Sequence, residues 1–167
     1  TNNNVLSITA NDIDLTGTLN AGNSDITILV SDNGTIGLGN AFGDMTIDGS
    51  EMQNITAANL TIGNATNGSV TVDGVTAANS DNIGMVMLNS GGSVEFSGSA
   101  STFNALAVGQ SSVVNVNATL STDTGALDLT SGSDININAN VTSATTSSLI
   151  GESITTTAAT ITATSLT

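Results

Sequence analysis

Acidic side chains are the groups in this chain whose types and spacing could do chemistry. Asp12 and Asp14 stand two positions apart, so in a β-strand both carboxylates would point to one face, away from Ile13. Oxygen-rich clusters can bind Ca²⁺, but the Gly-Gly-x-Gly-x-Asp nonapeptide of calcium-binding β-helices is absent. We therefore expect at most weakly bound Ca²⁺ at Asp12 and Asp14, and no other metal or cofactor.

Catalytic chemistry has few other groups to use. Asp44, Asp48 and Glu51 form a looser acidic group, and paired carboxylates can cleave a glycosidic bond. The chain has no Lys, Arg, His or Cys, so a serine would lack its activating base and no thiol nucleophile exists. We predict no enzymatic activity and assign no catalytic residue.

Threonine and asparagine patterns suggest ice binding and glycosylation. Threonines two positions apart can order water on a flat face, as in Thr160-Ile161-Thr162-Ala163-Thr164. An ice-matching array requires regularly spaced runs, and the threonine runs of this chain are not regularly spaced. Seven Asn-x-Ser/Thr sequons occur, whereas 21 Asn and 48 Ser or Thr among 167 residues give about six by chance. We therefore expect most Asn residues to form turns or stacked ladders.

The charge balance excludes several partners. Fourteen acidic residues and no basic residue give a formal net charge of -14. Nucleic acid is not an expected partner, because binding it depends on Lys and Arg neutralising phosphates. Anionic membrane surfaces are disfavoured for the same reason, and no run of about 18 apolar residues is present to span a membrane.

The elements that carry these residues are short segments in which apolar and small polar residues alternate. This period of two predicts β-strands with one apolar face, and no sustained helical stripe predicts a substantial helix. The segments are Leu6-Ser7-Ile8, Ile13-Asp14-Leu15, Ile26-Thr27-Ile28, Met45-Thr46-Ile47, Leu60-Thr61-Ile62, Val70-Thr71-Val72, Val86-Met87-Leu88, Val94-Glu95-Phe96, Val114-Asn115-Val116, Leu127-Asp128-Leu129, Ile135-Asn136-Ile137 and Ile161-Thr162-Ala163. The chain is therefore predicted to be all-β.

The spacing of these segments favours a solenoid over antiparallel hairpins. Gly, Asn, Asp and Ser separate the strands, and Asn-Gly and Asp-Gly pairs would also suit hairpin turns. However, similar segments recur at intervals of roughly 20 residues, as at Leu6, Ile26 and Met45, which is typical of one coil of a solenoid. Proline, which removes a ladder donor, is absent. We predict a parallel β-helix of about eight coils, about 40 Å long at the usual strand spacing.

Three segments resemble the repeats of filamentous-haemagglutinin-type exoproteins. They are residues 8–22 (ITANDIDLTGTLNAG), 35–39 (TIGLG) and 50–63 (SEMQNITAANLTIG). The resemblance implies a right-handed parallel β-helix in a large bacterial surface protein, many of which are exported by two-partner secretion. It also implies an adhesin or filament outside the cell.

We predict that residues 1–167 form a single β-helix segment of a longer rod or fibre. The C-terminal stretch is strand-like to its end and would continue without a break into Thr1-Asn2-Asn3-Asn4, so the predicted partner is the chain itself, as an end-to-end homopolymer or tandem repeats. The alternative function is a surface-binding module that contacts a glycan, a mineral, ice or a host cell through one face. The predicted core residues are Ile8, Ile28, Ile47, Ile62, Val72, Leu88, Phe96, Val116, Leu129 and Ile137.

Overall fold

A computed structural model describes residues 3–167. Thr1 and Asn2, which belong to the segment predicted to continue the strand pattern, lie outside the described residues. The strands are β1 (Leu6–Ala10), β2 (Leu19–Asn20), β3 (Ile26–Val30), β4 (Ile36–Gly39), β5 (Met45–Ile47), β6 (Ile55–Ile62), β7 (Val70–Asp73), β8 (Ile83–Asn89), β9 (Ser93–Phe96), β10 (Ser101–Phe103), β11 (Leu106–Gln110), β12 (Val113–Val116), β13 (Leu120–Thr122), β14 (Leu127–Thr130), β15 (Asp134–Ile137), β16 (Val141–Thr142), β17 (Thr146–Ile150), β18 (Ser153–Thr156), β19 (Ile161–Thr162) and β20 (Ser165–Leu166). The helices are α1 (Gly49–Gln53) and α2 (Ala77–Ser80).

The strands form three sheets in which the paired strands run parallel. The first sheet has the order β1-β3-β6-β8-β11-β14-β17-β20, and β2 pairs with the beginning of β6. The second sheet is β5-β4-β7-β9-β12-β15-β18, and the third is β10-β13-β16-β19. The chain contributes a strand to each sheet in turn and then returns to the first sheet, one strand further along the rod. The predicted parallel β-helix is confirmed, and the eight successive strands of the first sheet correspond to the predicted eight coils.

Inward-facing residues stack in columns that run along the whole rod, because parallel strands of consecutive coils pair like over like. The column through the first sheet is Leu6, Ile26, Leu60, Val86, Leu106, Leu127, Ser147 and Leu166. The column through the second sheet is Met45, Ile36, Val70, Val94, Val114, Ile135 and Ile154. Branched aliphatic side chains suit such layers, since each fills the space above the identical position of the coil below.

The predicted core is largely confirmed. Nine of the ten residues are buried: Ile28, Ile47, Ile62, Val72, Leu88, Phe96, Val116, Leu129 and Ile137. Ile8 faces the same side as its register partner Ile28 but is only half-buried, because β1 is the first strand of its sheet and no described coil covers it. Within residues 3–167, every buried side-chain nitrogen or oxygen has a hydrogen-bond partner, as burial of polar groups requires.

One coil is much longer than the others and doubles back. Coils of about 20 residues separate Leu6 from Ile26 and Val86 from Leu106, but Leu60, the partner of Ile26, stands 34 positions further on. The extra residues place β5 beside β4 on its N-terminal side, with Met45 opposite Ile36. The prediction that Met45 marks the coil after Ile26 is therefore wrong. Its 19-residue distance from Ile26 reflects an insertion within a coil.

Two glycines make this doubling back possible. Residues 40–44 connect β4 to β5 and cross directly over the outer side of Gly37. A Cβ atom on Gly37 would lie 2.3 Å from the carbonyl oxygen of Ala41, and one on Gly43 would lie 2.5 Å from the backbone nitrogen of Gly37. Both positions therefore need a residue without a side chain, since backbone atoms cannot move aside as a flexible side chain can.

The helices are one turn long and occupy strand positions on the third side of the rod. α1 contacts α2, and α2 contacts β10, so the two helices continue the third sheet towards the N-terminus. The Asn79 amide donates to the Gly49 carbonyl at 2.9 Å and ties one helix to the next. No helix among the described residues is long and apolar enough to cross a membrane.

Candidate functional site

The predicted metal ligands Asp12 and Asp14 lie in an extended segment without regular strand structure, next to β5. Both are exposed while Ile13 between them is half-buried, so the side chains alternate as predicted. Asp12 Oδ1 accepts a hydrogen bond from the backbone N–H of Thr46 at 2.9 Å. Asp12 therefore caps an edge amide of β5, a role that the sequence pattern did not reveal.

Asp48 and Glu51 have a similar capping role. The Asp48 side chain accepts from the Glu51 N–H, and Glu51 Oε2 accepts from the Asp48 N–H, each at 2.8 Å, which completes a capping box at the start of α1. Glu51 Oε1 also accepts from the Leu15 N–H at 2.8 Å. The carboxylates of Asp12 and Glu51 thus connect the first coil to the segment from Thr46 to Glu51, which belongs to the long coil that doubles back. These side chains take the place of backbone pairing between the two segments.

Asp44 fastens the loop between β4 and β5. Its Oδ2 accepts from both the backbone N–H and the hydroxyl of Thr35, at 2.8 and 2.9 Å, and its own N–H donates to the Thr35 hydroxyl at 3.1 Å. The backbone hydrogen bond, followed by the hydroxyl, holds the pKa of Asp44 below its ordinary value of 3.8. Asp44 is therefore separate from the Asp48–Glu51 box, and the three do not form one acidic site.

The lowered pKa of Asp44 gives a pH prediction. A carboxylate with a depressed folded-state pKa stabilises the protein above its unfolded pKa, and this stabilisation is lost as the pH falls through the folded value. We expect Asp44→Asn to lower the melting temperature at pH 7, with the difference from the natural protein shrinking below pH 3.8. Melting curves from pH 7 to pH 2.5 measure this, and Asp123→Asn is the exposed control. A difference that persists unchanged at low pH would contradict it.

The predicted weak binding of Ca²⁺ at Asp12 and Asp14 is tested by titration. Nowhere in residues 3–167 do three or more acidic side chains form a group that could hold a metal ion. With a charge of -14 and no basic residue, we expect Ca²⁺ at about millimolar concentration to promote lateral association of rods by screening. Light scattering during a Ca²⁺ titration tests this, and a flat trace counts against it. If Asp12 and Asp14 bind Ca²⁺, the variant with both residues changed to Asn should show a smaller rise in light scattering than the control variant Asp123→Asn/Asp128→Asn.

Several sequon asparagines are committed to structure. Asn67 is buried, and its amide donates to the Gly68 carbonyl at 2.8 Å. The Asn54 amide donates to the Leu15 carbonyl at 3.1 Å, and the Asn59 amide donates to Asp25 at 2.8 Å. These amide nitrogens take part in turn and inter-coil contacts, as expected of turn-forming Asn residues.

Asparagines also stack on the outer face of the second sheet. Asn136 donates to the Asn115 side chain at 2.9 Å, and Asn138 donates to the Asn117 side chain at 2.8 Å, in each case one coil apart. Asn117 continues the second ladder by donating to Glu95 at 3.0 Å. These side chains reinforce the coil-to-coil register of the second sheet.

The outer face of the third sheet carries a column of hydroxyl groups that sequence analysis missed. Thr102, Ser121, Thr142 and Thr162 are register partners on β10, β13, β16 and β19, and the Thr102 and Ser121 hydroxyls lie 2.8 Å apart. The coil lengths of 19 to 21 residues vary, so only the strand register brings these four residues into line.

The inward columns are uncovered at the C-terminal end of the described residues. Ile154 and Leu166 occupy the same inward columns as Ile135 and Leu127, which are 0% exposed, yet they are 45% and 55% exposed themselves. The outer edges of β18, β19 and β20 have no strand beyond them among the described residues. Such edges are templates for further strand pairing.

The N-terminal end differs from one sheet to the next. On the first sheet, β1 has no further strand on its outer side among the described residues, and Val5 just before it is 71% exposed. On the second sheet, the Asp12 carboxylate bonded to the N–H of Thr46 occupies the edge of β5. Backbone pairing at this end is therefore available chiefly along β1.

A shallow open groove lies beside the two helices. Its volume is about 370 Å³, and Asn40, Asp48, Thr76 and Asn79 contribute polar side chains to its lining. Asp48 and Asn79 are already engaged in capping α1 and α2. The polar groups of Asp48 and Asn79 in this groove are thus committed to helix capping. Comparison of the chain with protein-family models, curated proteins and solved structures finds no match.

Proposed function

We propose that this chain is a structural segment of an extracellular filament or adhesin stalk, whose coils stack end to end with neighbouring coils. The observation that carries the proposal is the half-exposure of Ile154 and Leu166 on columns whose residues are buried in the middle of the rod, such as Ile135 and Leu127. Uncovered apolar side chains beside unpaired strand edges favour association. The location at the cell surface rests on the resemblance of residues 8–22 to exoprotein repeats.

The interior of the rod supports a mechanical role over a catalytic one. Its buried polar side chains, such as Ser90 and Ser131, donate to carbonyl groups of neighbouring segments, and the carboxylates of Asp12 and Glu51 accept hydrogen bonds from backbone N–H groups. Their contacts hold coils together. The charge of -14 keeps rods apart laterally, so contact along the axis is the favoured mode.

Association through the ends can be tested with two matched variants. Leu166→Asp places a charge on the inward column, and we expect end-to-end association to weaken by about tenfold to a hundredfold, because a buried Leu contributes about 1.5–3 kcal/mol. Ile150→Asp is the control, since Ile150 is 59% exposed on the outer side of β17, the strand that pairs with β20. Sedimentation velocity over a concentration series, with electron microscopy of the same samples, measures the association.

Two results would contradict the proposal. Discrete monomers of the natural protein at all concentrations would show that the open ends do not associate. If Leu166→Asp and Ile150→Asp weakened association equally, association would not depend on the inward column.

The column of hydroxyl groups favours a second candidate function. Four hydroxyl side chains one coil apart, with Thr142 and Thr162 exposed, form a regular row that could contact ice through the third sheet. If the third sheet contacts ice, we expect the natural protein to inhibit ice recrystallisation. We expect Thr142→Tyr to abolish this inhibition. Thr71→Tyr, on the outer face of the second sheet, is the control. No inhibition by the natural protein excludes this candidate.

A further inference from the structure

We infer that Asn33 is a site of spontaneous covalent modification, at which the side-chain amide is lost and an aspartyl or isoaspartyl residue forms. The chain contains two Asn-Gly pairs, Asn33-Gly34 and Asn67-Gly68. Ile36 pairs with Val70 in parallel register, so the two Asn-Gly pairs occupy the same turn in consecutive coils. The fold leaves the first pair able to react and protects the second.

The reaction uses groups of two adjacent residues and one molecule of water. The backbone nitrogen of Gly34 attacks the side-chain carbonyl carbon of Asn33 and loses its proton, a C–N bond forms, and the side-chain amide leaves as ammonia. Water then opens the resulting cyclic imide at either carbonyl. One opening gives an aspartyl residue, and the other gives an isoaspartyl residue, whose main chain passes through Cβ. Glycine favours the attack, because no Cβ crowds its nitrogen.

The surroundings of Asn33-Gly34 permit this reaction. The Asn33 side chain is exposed, and its φ of 55° lies in the left-handed region that Asn tolerates in turns. Among the described residues, neither the Asn33 side chain nor the Gly34 N–H forms a hydrogen bond. The attacking nitrogen and the carbon that it attacks can therefore approach each other in contact with water without first breaking a hydrogen bond.

The same groups of Asn67-Gly68 are held in place. Asn67 is 3% exposed. Its Oδ1 accepts from the Asn64 N–H at 2.5 Å, and its amide donates to the Gly68 carbonyl at 2.8 Å. The attacking nitrogen is engaged as well, since the Gly68 N–H donates to the carbonyls of Asn33 and Gly34, each at 2.9 Å. Attack at Asn67 therefore requires local opening of the turn.

Modification of Asn33 changes a contact between coils. The Asn33 carbonyl accepts from the Gly68 N–H, and in the isoaspartyl product this carbonyl becomes part of a free carboxylate. The product adds one negative charge to a chain that has no basic residue to pair with it. The turn also lies against Asp44, since a Cβ atom on Gly34 would be 2.8 Å from Asp44 Cβ, so the new charge is repelled by an existing one. Because the reaction needs only water, the modified fraction increases with the age of the molecule.

Peptide mass spectrometry of the natural protein after incubation in mildly alkaline buffer measures both sites in one sample. The buffer is made in water enriched in heavy oxygen, so that oxygen taken up during the incubation is distinguished from modification already present. Trypsin has no cleavage site in a chain without Lys and Arg. Pepsin at acidic pH therefore produces the peptides, and the acid also suppresses the reaction during digestion. A second sample is incubated in urea, which compares the two Asn-Gly pairs without the fold.

We expect Asn33 to be modified at least about tenfold faster than Asn67 in the folded protein, because modification of Asn67 must wait for local opening. In urea, where both pairs are exposed, we expect similar rates at the two sites. Equal rates in the folded protein, or no modification of Asn33, would overturn the inference. An equally large excess at Asn33 in urea would also overturn it, because the selectivity would then come from the local sequence and not from the fold.

Discussion

Replacement of Phe96 by alanine is expected to lower the free energy of unfolding by about 3–5 kcal/mol, the usual cost of removing a buried aromatic side chain. Phe96 is 1% exposed and lies on an inward column of the second sheet between Val72 and Val116. The coils above and below are held in place by backbone ladders, so they cannot collapse into the space. Urea unfolding followed by circular dichroism measures the effect.

Phe96→Leu is the matched control for this experiment. It keeps most of the buried volume, and we expect it to cost less than about 1.5 kcal/mol. Loss of stability in Phe96→Ala no larger than in Phe96→Leu would mean that the column is loosely packed and that stability comes chiefly from the backbone ladders. Amide exchange should accelerate most in the neighbouring strands β7 and β12, because each coil contacts mainly its two neighbours.

Replacement of Gly37 by alanine is expected to destabilise the protein by about 3 kcal/mol, at the upper end of ordinary single substitutions. The new Cβ would lie 2.3 Å from the Ala41 carbonyl oxygen, so residues 40–44 must lift away from β4. The contacts of Asp44 with Thr35 would be strained by the same movement. Urea unfolding again gives the magnitude, and faster chymotrypsin cleavage after Phe42, which is 93% exposed, reports displacement of the loop.

Gly17→Ala provides the comparison. No atom lies within 4 Å of a Cβ atom placed on Gly17, and its backbone does not need a positive φ. We expect a change within about 0.5 kcal/mol, as is usual for surface positions. Equal effects of the two substitutions would show that close passage over Gly37 is not what constrains the loop.

The architecture could be predicted from the sequence because alternation and turn composition are local signals. Segments such as Val114-Asn115-Val116 form strands with their aliphatic residues inward, and Ser131-Gly132-Ser133 lies between consecutive strands. Absence of proline and recurrence at about 20 residues then favoured parallel coils. Each of these properties can be recognised along the chain without knowing which residues are neighbours in space.

Features that depend on register could not be predicted in this way. Met45-Thr46-Ile47 alternates like any other strand, and nothing in the segment indicates that it lies on the N-terminal side of β4. Ile13-Asp14-Leu15 shows the same alternation but forms no strand, because β5 takes its place beside β4. The row of hydroxyls from Thr102 to Thr162 likewise becomes visible only when the unequal coils are aligned.

The orientation of the backbone ladder determines how such a rod would respond to force. Inter-strand hydrogen bonds in a β-helix point along the axis, so tension applied along the axis loads a few bonds of the outermost coil at a time and peels that coil from the next. Each released coil of about 20 residues would lengthen the tether by about 70 Å. The doubled-back coil, with 34 residues between Ile26 and Leu60, would release about 115 Å in one event. The carboxylates of Asp12 and Glu51 cross this boundary, so release of this coil would also have to break side-chain hydrogen bonds to the first coil.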